Sequence, residues 1–466
     1  MNSAHGACHG FGADLLTRRA CLRAGGLGML GLTLPALLRG EGSRPESVRA
    51  RARSVIFLYQ FGGPSHLDTF DMKPDAPSGI RGPLKGIPSN VPGVHVCEHL
   101  PRMARVMDKV TVIRSMTHRM LNHNSASYYA LTGHAPPVDD IRLRDSIELY
   151  PAYGSVVDAM LEPDPEVPSF VAYPHVIRDG AITPGQHASF LGKLHDPFLI
   201  TEDPASPSFR LPELSLPAGV PFERLERRRE LQKLIDKQSR LIEHSAEAKG
   251  LDLYTRRAMS MLASDRVRKA FDLSREPEPL RDAYGRHTYG QGCLLARRLV
   301  EAGVRFVTVY FSETIGGQST TGGGWDTHGF NNTRMYPIIE KLHLPMTNET
   351  LPTLLEDLDQ RGLLEETLVV WMGEFGRTPR INENSSRDHW PHCYTALLAG
   401  GGVKRGYVHG ASDSTGATPA RDPVRPDDLS ATMFRLLGID SAAEIRDRSG
   451  RPLLASEGRP VEGILA

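Results

Sequence analysis

The chain has 466 residues, and its 55 Lys and Arg residues equal its 55 Asp and Glu residues, so its formal net charge is zero. A dedicated nucleic-acid-binding protein should carry a clear basic excess, so this class is excluded. Hydrophobic residues make up 40% of the chain and charged residues 24%, which is typical of globular proteins and excludes long-range disorder. The five cysteines are too few for a disulfide framework, and no CxxC pair is present for a thiolate zinc site.

The first 40 residues resemble an export signal. Residues 17–23 contain the paired Arg18 and Arg19, and an apolar, glycine-rich run of 15 residues follows at 24–38. This run is too short for a membrane span, which needs about 20 residues. The pattern predicts a twin-arginine export signal over 1–40 and a linker over 41–53. An amphipathic N-terminal helix is the alternative. We expect an exported protein, periplasmic or extracellular, with no membrane span in the mature chain.

Short, continuous apolar runs predict buried strands along the rest of the chain. They lie at residues 55–59, 110–113, 304–311 and 368–372. Two of them follow predicted helices: residues 290–302, which end before Gly303, and the leucines at 351, 354, 355 and 358, which recur with helical spacing. Alternating helices and strands predict an α/β fold with a mainly parallel sheet and helices on both faces.

One domain over 54–460 accounts for these elements, with a helical insertion over 222–272. The insertion is charged and almost free of glycine, and it carries one apolar stripe. A role in binding a partner or a membrane surface is conceivable, but packing against the sheet explains the stripe equally well. Residues 175–220, rich in Pro, His and Ser, predict a long ordered loop.

Histidines and carboxylates are concentrated in the loops that follow the predicted strands. In an open parallel sheet, ligands bind beyond the carboxyl ends of the strands, so these loops are expected to form the functional site. The candidates, in chain order, are His66, Asp68, Arg114, His118, His123, Ser125, Asp326, His328, Glu374, Arg377, Asp388, His389 and His392.

Imidazole and carboxylate groups together suit a divalent cation, and we expect Zn²⁺, Mn²⁺, Mg²⁺ or Ca²⁺. The short spacing of Asp326 and His328 permits shared coordination, although Asp-His neighbours in loops also stabilise turns locally. Arg377 beside Glu374 is either an ion pair or a fork for an anionic substrate oxygen. Phosphate-loop and GxSxG motifs are absent from the sequence, which disfavours a nucleotide site and an α/β-hydrolase.

Five segments resemble the bacterial family called domain of unknown function 1501. They are GGPSHLDTFD (62–71), YYALTGHAP (128–136), GWDTHGFN (324–331), GEFGRTP (373–379) and RDHW (387–390). The resemblance covers most of residues 53–440. It implies the fold of the alkaline phosphatase and sulfatase superfamily, which is an α/β sandwich with a metal site at the strand ends, and export by the twin-arginine route.

The resemblance also implies roles for individual residues. Gln60 occupies the position of the superfamily's first metal-binding aspartate, for which Asp68 or Asp71 is a possible substitute. His123 occupies the position of the sulfatase nucleophile, and Ser125 either replaces that nucleophile or caps the following helix. The expected metal ligands are Asp68, Asp326, His328, Glu374, Asp388, His389 and His392. Catalytic roles are expected for His123, Ser125 and Arg377, and substrate binding for His66, Arg114 and His118.

Two functions remain open from the sequence. One is a metal-dependent hydrolase of phosphate or sulfate esters, in which the metal polarises an anionic ester substrate. The other is a non-catalytic, exported binding or scaffold protein that keeps the fold and a structural metal.

Overall fold

The computed structural model of the chain describes residues 49–209, 264–316, 323–329 and 334–466. The predicted export signal and most of the linker lie outside these residues. The predicted helical insertion over 222–272 is described only from Ser264, and the long loop over 175–220 only as far as Phe209. Within the described ranges, no helix combines the length and the apolar character that crossing a bilayer requires.

The centre of the fold is an eight-stranded sheet. Its strands are β1 Ser54–Tyr59, β2 Val110–Met116, β3 Phe170–Tyr173, β4 Phe198–Leu199, β5 Phe306–Tyr310, β6 Thr367–Met372, β7 Tyr394–Ala399 and β8 Tyr407–His409. Their spatial order is β8-β2-β7-β6-β1-β5-β3-β4. Only β7 runs antiparallel to its neighbours in this sheet. The predicted α/β class with a mainly parallel sheet is therefore confirmed.

Helices and small hairpins surround the sheet. The helices are α1 Ser78–Arg81, α2 Pro101–Ala104, α3 His123–Thr132, α4 Tyr153–Met160, α5 Asp265–Phe271, α6 Glu278–Tyr284, α7 Thr288–Glu301, α8 Met335–Ile338, α9 Leu344–Gln360 and α10 Pro426–Leu436. The two-stranded pairs are Gly86–Pro88 with His95–Cys97, Arg178–Asp179 with Ala181–Ile182, Gly376–Arg377 with His389–Trp390, Ala411–Ser412 with Pro419–Arg421, and Glu444–Arg446 with Pro452–Leu454.

The sheet has an apolar core on each face, because its central strands are buried on both sides. Along β1, Ile56 and Leu58 belong to the core that includes α7 and α9, whereas Val55 and Phe57 belong to the core that includes α4 and α10. This alternation follows from the two-residue period of side chains along a strand. It also explains why β1 is a continuous apolar run in the sequence. The predicted placement of helices on both faces is confirmed.

The apolar runs in the sequence do not predict β3, β4, β7 or β8, and β4 lies within the stretch 175–220 that was expected to be a loop. Of these strands, β7 matters most for the functional edge of the sheet. It pairs with β6 and β2 in the antiparallel sense. Its first residue, Tyr394, therefore lies at the edge where the parallel strands end. As a result, residues 387–392, which precede β7, reach the same edge as the loops that follow β1, β2, β5 and β6.

Candidate metal centre

Four side chains from three loops gather at this edge of the sheet. They are His123 at the start of α3, Asp326 and His328 from the segment after β5, and His389 from the segment before β7. One ligand atom from each residue lies within 4.8 Å of every other. These four residues form a group that could hold a metal ion, and we call it the metal cluster.

The cluster is arranged around one oxygen of Asp326. Its Oδ1 lies 2.7 Å from His328 Nε2, 3.0 Å from His389 Nε2 and 3.4 Å from His123 Nε2. The Nε2 atoms of His328 and His389 are 2.8 Å apart. Three imidazole nitrogens and one carboxylate oxygen therefore converge on one small volume, and this donor set suits a borderline divalent cation such as Zn²⁺.

Each imidazole of the cluster uses its Nδ1 atom for a second contact. His123 Nδ1 lies 2.7 Å from Oε1 of Glu374, His328 Nδ1 lies 3.1 Å from Oδ1 of Asp388, and His389 Nδ1 lies 2.8 Å from the carbonyl oxygen of Leu121. An Nδ1–H that donates to such an acceptor leaves the Nε2 lone pair directed into the cluster. Metal-binding histidines usually show this arrangement, because it fixes both the tautomer and the ring orientation.

The segment before α3 is held in place by Asp139. The two carboxylate oxygens of Asp139 accept hydrogen bonds from the backbone N–H of Leu121 at 2.9 Å and of Asn122 at 3.1 Å. These bonds position the Leu121 carbonyl that contacts His389, and they position His123 in the first turn of α3. A carboxylate also suits this position because the N-terminus of a helix is electropositive.

Gly62 allows the loop after β1 to approach the segment that carries Asp326. Its φ of +102° lies in the region that glycine favours, and a Cβ atom there would lie 2.2 Å from the carbonyl oxygen of Ile315 and 2.4 Å from the Asp326 nitrogen. The Gly62 N–H donates to Oε1 of Glu374 at 2.8 Å. The contacts of this glycine therefore join the loops that follow β1, β5 and β6.

Arg377 is buried beside the cluster and forms its ion pair with Asp326. Its Nη2 lies 2.7 Å from Asp326 Oδ1, and the guanidinium also donates to the carbonyl oxygens of Trp325 at 3.2 Å, Gly63 at 2.9 Å and Gly62. The sequence predicts an ion pair with Glu374 as one of two possible roles for Arg377. In the structure, Arg377 does form an ion pair, but its partner is Asp326. The other contacts of its guanidinium group are with backbone carbonyl oxygens of the protein.

The charges of the cluster shift the pKa values of its members in opposite directions. Burial raises the pKa of Asp326, but Arg377 and His123 outweigh it and hold the pKa well below its usual range. Burial lowers the pKa of His123, but Asp326 and Glu374 raise it to about 9. Burial, together with the neighbouring His123, lowers the pKa of His389 to about 3. Without a metal, the cluster therefore holds a proton on His123, and a bound cation would replace that proton.

Glu374 supports the cluster and lies outside the four-residue group. Its carboxylate is fully buried, and Oε1 contacts both His123 and the Gly62 N–H. His118, which the sequence predicts to bind substrate, is buried next to Glu374. Its Nε2 atom lies 2.6 Å from the carbonyl oxygen of Glu374, and its Nδ1 atom accepts a hydrogen bond from the Met120 N–H at 3.0 Å. Burial lowers the pKa of His118 to about 4, so this ring is neutral and uses both nitrogens inside the protein.

The structure places the other predicted metal ligands outside the cluster. Asp388 has 47% of its side chain exposed and contacts His328 Nδ1, so it orients a cluster histidine. Asp68 forms an ion pair with Arg387 at 2.7 Å, and both side chains are completely buried. His392 packs its ring edge-on against Trp390, with 4.8 Å between the ring centroids.

The Ser125 hydroxyl, the predicted nucleophile, hydrogen-bonds to the backbone of Asp140. It donates to the Asp140 carbonyl at 3.1 Å and accepts from the Asp140 N–H at 2.8 Å. These bonds attach the segment around residue 140 to α3. The hydroxyl therefore has a structural use, which differs from both roles that the sequence analysis considered.

The two remaining predicted substrate-binding residues are engaged with the protein itself. Arg114 donates from Nε to the Phe70 carbonyl at 3.0 Å and lies 3.4 Å from Asp71. His66 is buried, with Nε2 2.8 Å from the carbonyl oxygen of Gly416. Burial lowers the pKa of His66, which keeps the ring neutral.

Two residues near the site gain meaning only from the structure. Asp179 is half-buried, and its carboxylate interacts electrostatically with His123, Asp326 and Glu374, while burial raises its pKa. It lies in the stretch that the sequence analysis treated as a loop, and no motif marked it. Gln60 is buried, and its side-chain amide donates to the Tyr289 hydroxyl at 3.1 Å and accepts from the Trp325 indole N–H at 3.2 Å.

Comparisons with known proteins identify a family and several similar folds. The model of a family described as "Protein of unknown function (DUF1501)" matches residues 52–465. No curated protein sequence matches the chain significantly.

Among solved structures, the PsFucS1 sulfatase from Pseudoalteromonas sp. is 12% identical with a TM-score of 0.37, over 86% of this chain and 70% of the other. The lipoteichoic acid synthase LtaP from Listeria monocytogenes is 9% identical with a TM-score of 0.40, over 86% and 75%. The alkaline phosphatase from the Antarctic bacterium TAB5 is 13% identical with a TM-score of 0.34, over 84% and 99%. At these values, none of the three similarities bears on the chemistry of this chain.

Proposed function

The chain belongs to the DUF1501 family, and from the metal cluster that it carries we propose that it is an exported, metal-dependent hydrolase of phosphate or sulfate esters. One observation carries the proposal. Three histidine Nε2 atoms and one Asp326 oxygen converge within 4.8 Å, and the other nitrogen of each ring contacts a carboxylate or carbonyl oxygen. A structural ion pair would not need three imidazoles oriented so that their Nε2 atoms meet at one point.

The four residues of the cluster would bind the metal, and neighbouring residues would orient these ligands through hydrogen bonds. His123, Asp326, His328 and His389 are the proposed ligands, while Glu374 orients His123 through its Nδ1 contact. A bound divalent ion of this kind polarises an ester oxygen and lowers the pKa of bound water. The ion would be of the zinc or manganese class, because imidazole ligands outnumber carboxylates in the cluster.

Asp179 is the residue that we propose for proton transfer. The backbone carbonyl of Asp179 accepts a hydrogen bond at 3.4 Å from the side chain of Asn124, the residue that follows His123. Burial raises the pKa of the half-buried Asp179 carboxyl group, which brings it closer to the range useful for general acid–base catalysis. This role needs no side-chain nucleophile, which agrees with the engagement of the Ser125 hydroxyl by Asp140.

The ester class and the export route rest on the sequence. The resemblance to sulfatase-like proteins supports an anionic ester as substrate. The paired Arg18 and Arg19 before an apolar run support export by the twin-arginine route, which carries folded proteins across the membrane.

Metal analysis combined with an ester screen tests the proposal. The purified full-length chain is analysed for metals and assayed on 4-nitrophenyl phosphate and 4-nitrophenyl sulfate, beside Asp326→Ala and His389→Ala. We expect bound zinc or manganese and turnover of one ester, with both lost in the two variants. Asp75→Ala and His95→Ala change exposed residues and serve as matched controls. A folded wild type that binds no metal would contradict the proposal.

Two further observations support the alternative of a non-catalytic binding or scaffold protein. Gln60 replaces an expected aspartate, and the Ser125 hydroxyl is hydrogen-bonded to backbone. In that case, metal would be bound at the cluster and lost in His389→Ala, while no ester in the screen would be turned over.

A further inference from the structure

We infer that the cluster holds a single divalent ion, and that the buried guanidinium of Arg377 provides the fixed positive charge that a second ion would otherwise supply. The inference rests on the proposed metal site and concerns the number of ions in it. It also assigns Arg377 as a positioning residue for Asp326, in place of the anion-binding fork that the sequence left open beside an ion pair.

The contacts of Arg377 hold its guanidinium in place. The side chain is 1% exposed. Nη2 contacts Asp326 Oδ1, and the same guanidinium donates to backbone carbonyl oxygens of Gly62, Gly63 and Trp325. An arginine does not lose its proton in proteins, and five donors in a rigid plane leave it little freedom once they are engaged.

The geometry of the cluster fits one ion. All three histidine Nε2 atoms face the same Asp326 Oδ1, at 2.7, 3.0 and 3.4 Å, so the donors surround one position. Two-metal sites place their ions about 3.5–4 Å apart, and each ion needs its own ligands. Among the described residues, this is the one group of His, Cys, Asp and Glu side chains with suitable spacing.

The carboxylates that could serve a second ion already have other contacts. Glu374 Oε1 contacts His123 Nδ1 and the Gly62 N–H, and Asp388 Oδ1 contacts His328 Nδ1 and Asn382 Nδ2. These contacts orient the ligands of the first ion. Glu374 Oε2 is buried without a hydrogen-bond partner, but the described residues offer no second group of three ligand side chains for another ion.

Charge balance leads to the same conclusion. Asp326 and Glu374 are the two carboxylates at the centre, and Arg377 is the buried cation, which gives a formal charge of −1 when the three histidines are neutral, as metal ligands must be. One divalent ion brings this to +1, and a second would bring it to +3. Excess buried charge is costly because it loses its hydration. A second metal ion would also be repelled by the first ion and by the guanidinium of Arg377. Arg377 thus limits the centre to one ion while keeping Asp326 in place.

The number of ions is measured on the full-length chain. Metal-free protein is titrated with Zn²⁺ by calorimetry, and its metal content is measured after gel filtration. We expect one equivalent, at least tenfold weaker binding in His389→Ala, and no change in His95→Ala. Two equivalents that both depend on His389 would overturn the inference.

Cobalt substitution tests the role of Arg377 without using activity. We expect Arg377→Lys, which keeps the charge, to bind one Co²⁺ with a visible absorption spectrum like that of the wild type. Arg377→Gln should alter that spectrum, because Asp326 loses its charged partner. An unchanged spectrum in Arg377→Gln would overturn the positioning role. If Arg377→Gln does not fold, the wild-type stoichiometry and Arg377→Lys decide the question.

The inference and the proposed function fail in different ways. Two ions with ester turnover would refute the single-ion centre and leave the hydrolase standing. One ion without turnover of phosphate or sulfate esters would leave the single-ion centre standing and refute the hydrolase.

Discussion

The Nε2 atoms of His328 and His389 lie 2.8 Å apart, although 61 residues separate them along the chain. Their Nδ1 atoms contact Asp388 and the Leu121 carbonyl, so both Nε2 lone pairs are directed at the same place. Two lone pairs this close repel one another unless a proton or a cation lies between them. The pair therefore has the arrangement expected of metal ligands, held ready by the surrounding protein.

Replacing either of these histidines should abolish stabilisation by metal. A ligand present at 100 times its dissociation constant stabilises the folded state by about 2.7 kcal/mol. We expect added Zn²⁺ to raise the melting temperature of the wild type and of His95→Ala, and to leave His328→Ala and His389→Ala unaffected. Thermal unfolding with and without Zn²⁺ measures this. An equal rise in all four proteins would place the metal elsewhere.

Glu374→Gln should weaken metal binding while leaving the fold intact. The amide can still accept a hydrogen bond, but it lacks the negative charge that makes His123 a better ligand through the contact at 2.7 Å. Losing such a supporting contact typically costs about 10- to 100-fold in metal affinity. A competition titration with a chelator measures the affinity, and Glu383→Gln, which changes an exposed residue, is the control. Equal affinities would show that Glu374 does not act through His123.

Asp68→Ala should destabilise the protein without changing its metal content. The substitution leaves Arg387 buried without its carboxylate partner, and breaking a buried ion pair in this way costs about 3–5 kcal/mol. Denaturant unfolding measures the loss, with Asp75→Ala as an exposed control. Loss of metal from the folded Asp68→Ala protein would instead support the sequence-based prediction that Asp68 is a ligand.

Ser125→Ala should keep ester turnover and lose some stability. The hydroxyl makes two hydrogen bonds with the Asp140 backbone, and each such bond contributes about 1 kcal/mol. Removing a catalytic nucleophile would instead lower turnover by orders of magnitude. Steady-state rates and denaturant unfolding on the same protein separate the two cases. A folded, metal-loaded variant without turnover would establish Ser125 as the nucleophile.

His134 should make the protein less stable as the pH falls. The ring is buried, its Nε2–H donates to the Ala455 carbonyl at 3.1 Å and it stacks on Tyr150, and burial lowers its pKa to about 4. Between pH 6.5 and 4 the unfolded chain therefore binds a proton that the folded chain does not, so stability is complete above pH 6.5 and decreases below it. The full loss is on the order of 3 kcal/mol.

Urea unfolding at pH 7.5, 5.5 and 4.5 measures this dependence. Other buried histidines add to the slope of the wild type, so the informative quantity is the difference between wild type and His134→Gln. We expect the variant to have a shallower slope. Parallel curves for the two proteins would show that His134 does not contribute.

Much of the scaffold could be predicted from the sequence because its signals are local. Strands β1 and β6 are buried on both faces, so they appear as continuous apolar runs, and α9 shows the spacing of a helix with one buried face. Chain direction in parallel units then places the following loops at one edge of the sheet. For this reason Asp326, His328 and His389 were correctly expected to lie together.

The partners within the site were decided only by the tertiary structure, because they depend on contacts between distant segments. Arg377 meets Asp326 rather than Glu374, since the pairing of Gly376–Arg377 with His389–Trp390 and the close approach at Gly62 set its direction. His123 joins the cluster because the segment before α3 is held by Asp139.

The sequence by itself determined which residue types reach this edge of the sheet, through burial patterns and chain direction. Which atoms meet there is a different matter. It depends on differences of a few ångströms between loops that are far apart in the chain, as for the Gly62 N–H and Glu374, which are 312 residues apart, and no local pattern encodes them. Only the packing of those loops against one another decides which carboxylate lies among the three histidines, which one contacts the Nδ1 atom of a histidine and which one pairs with an arginine.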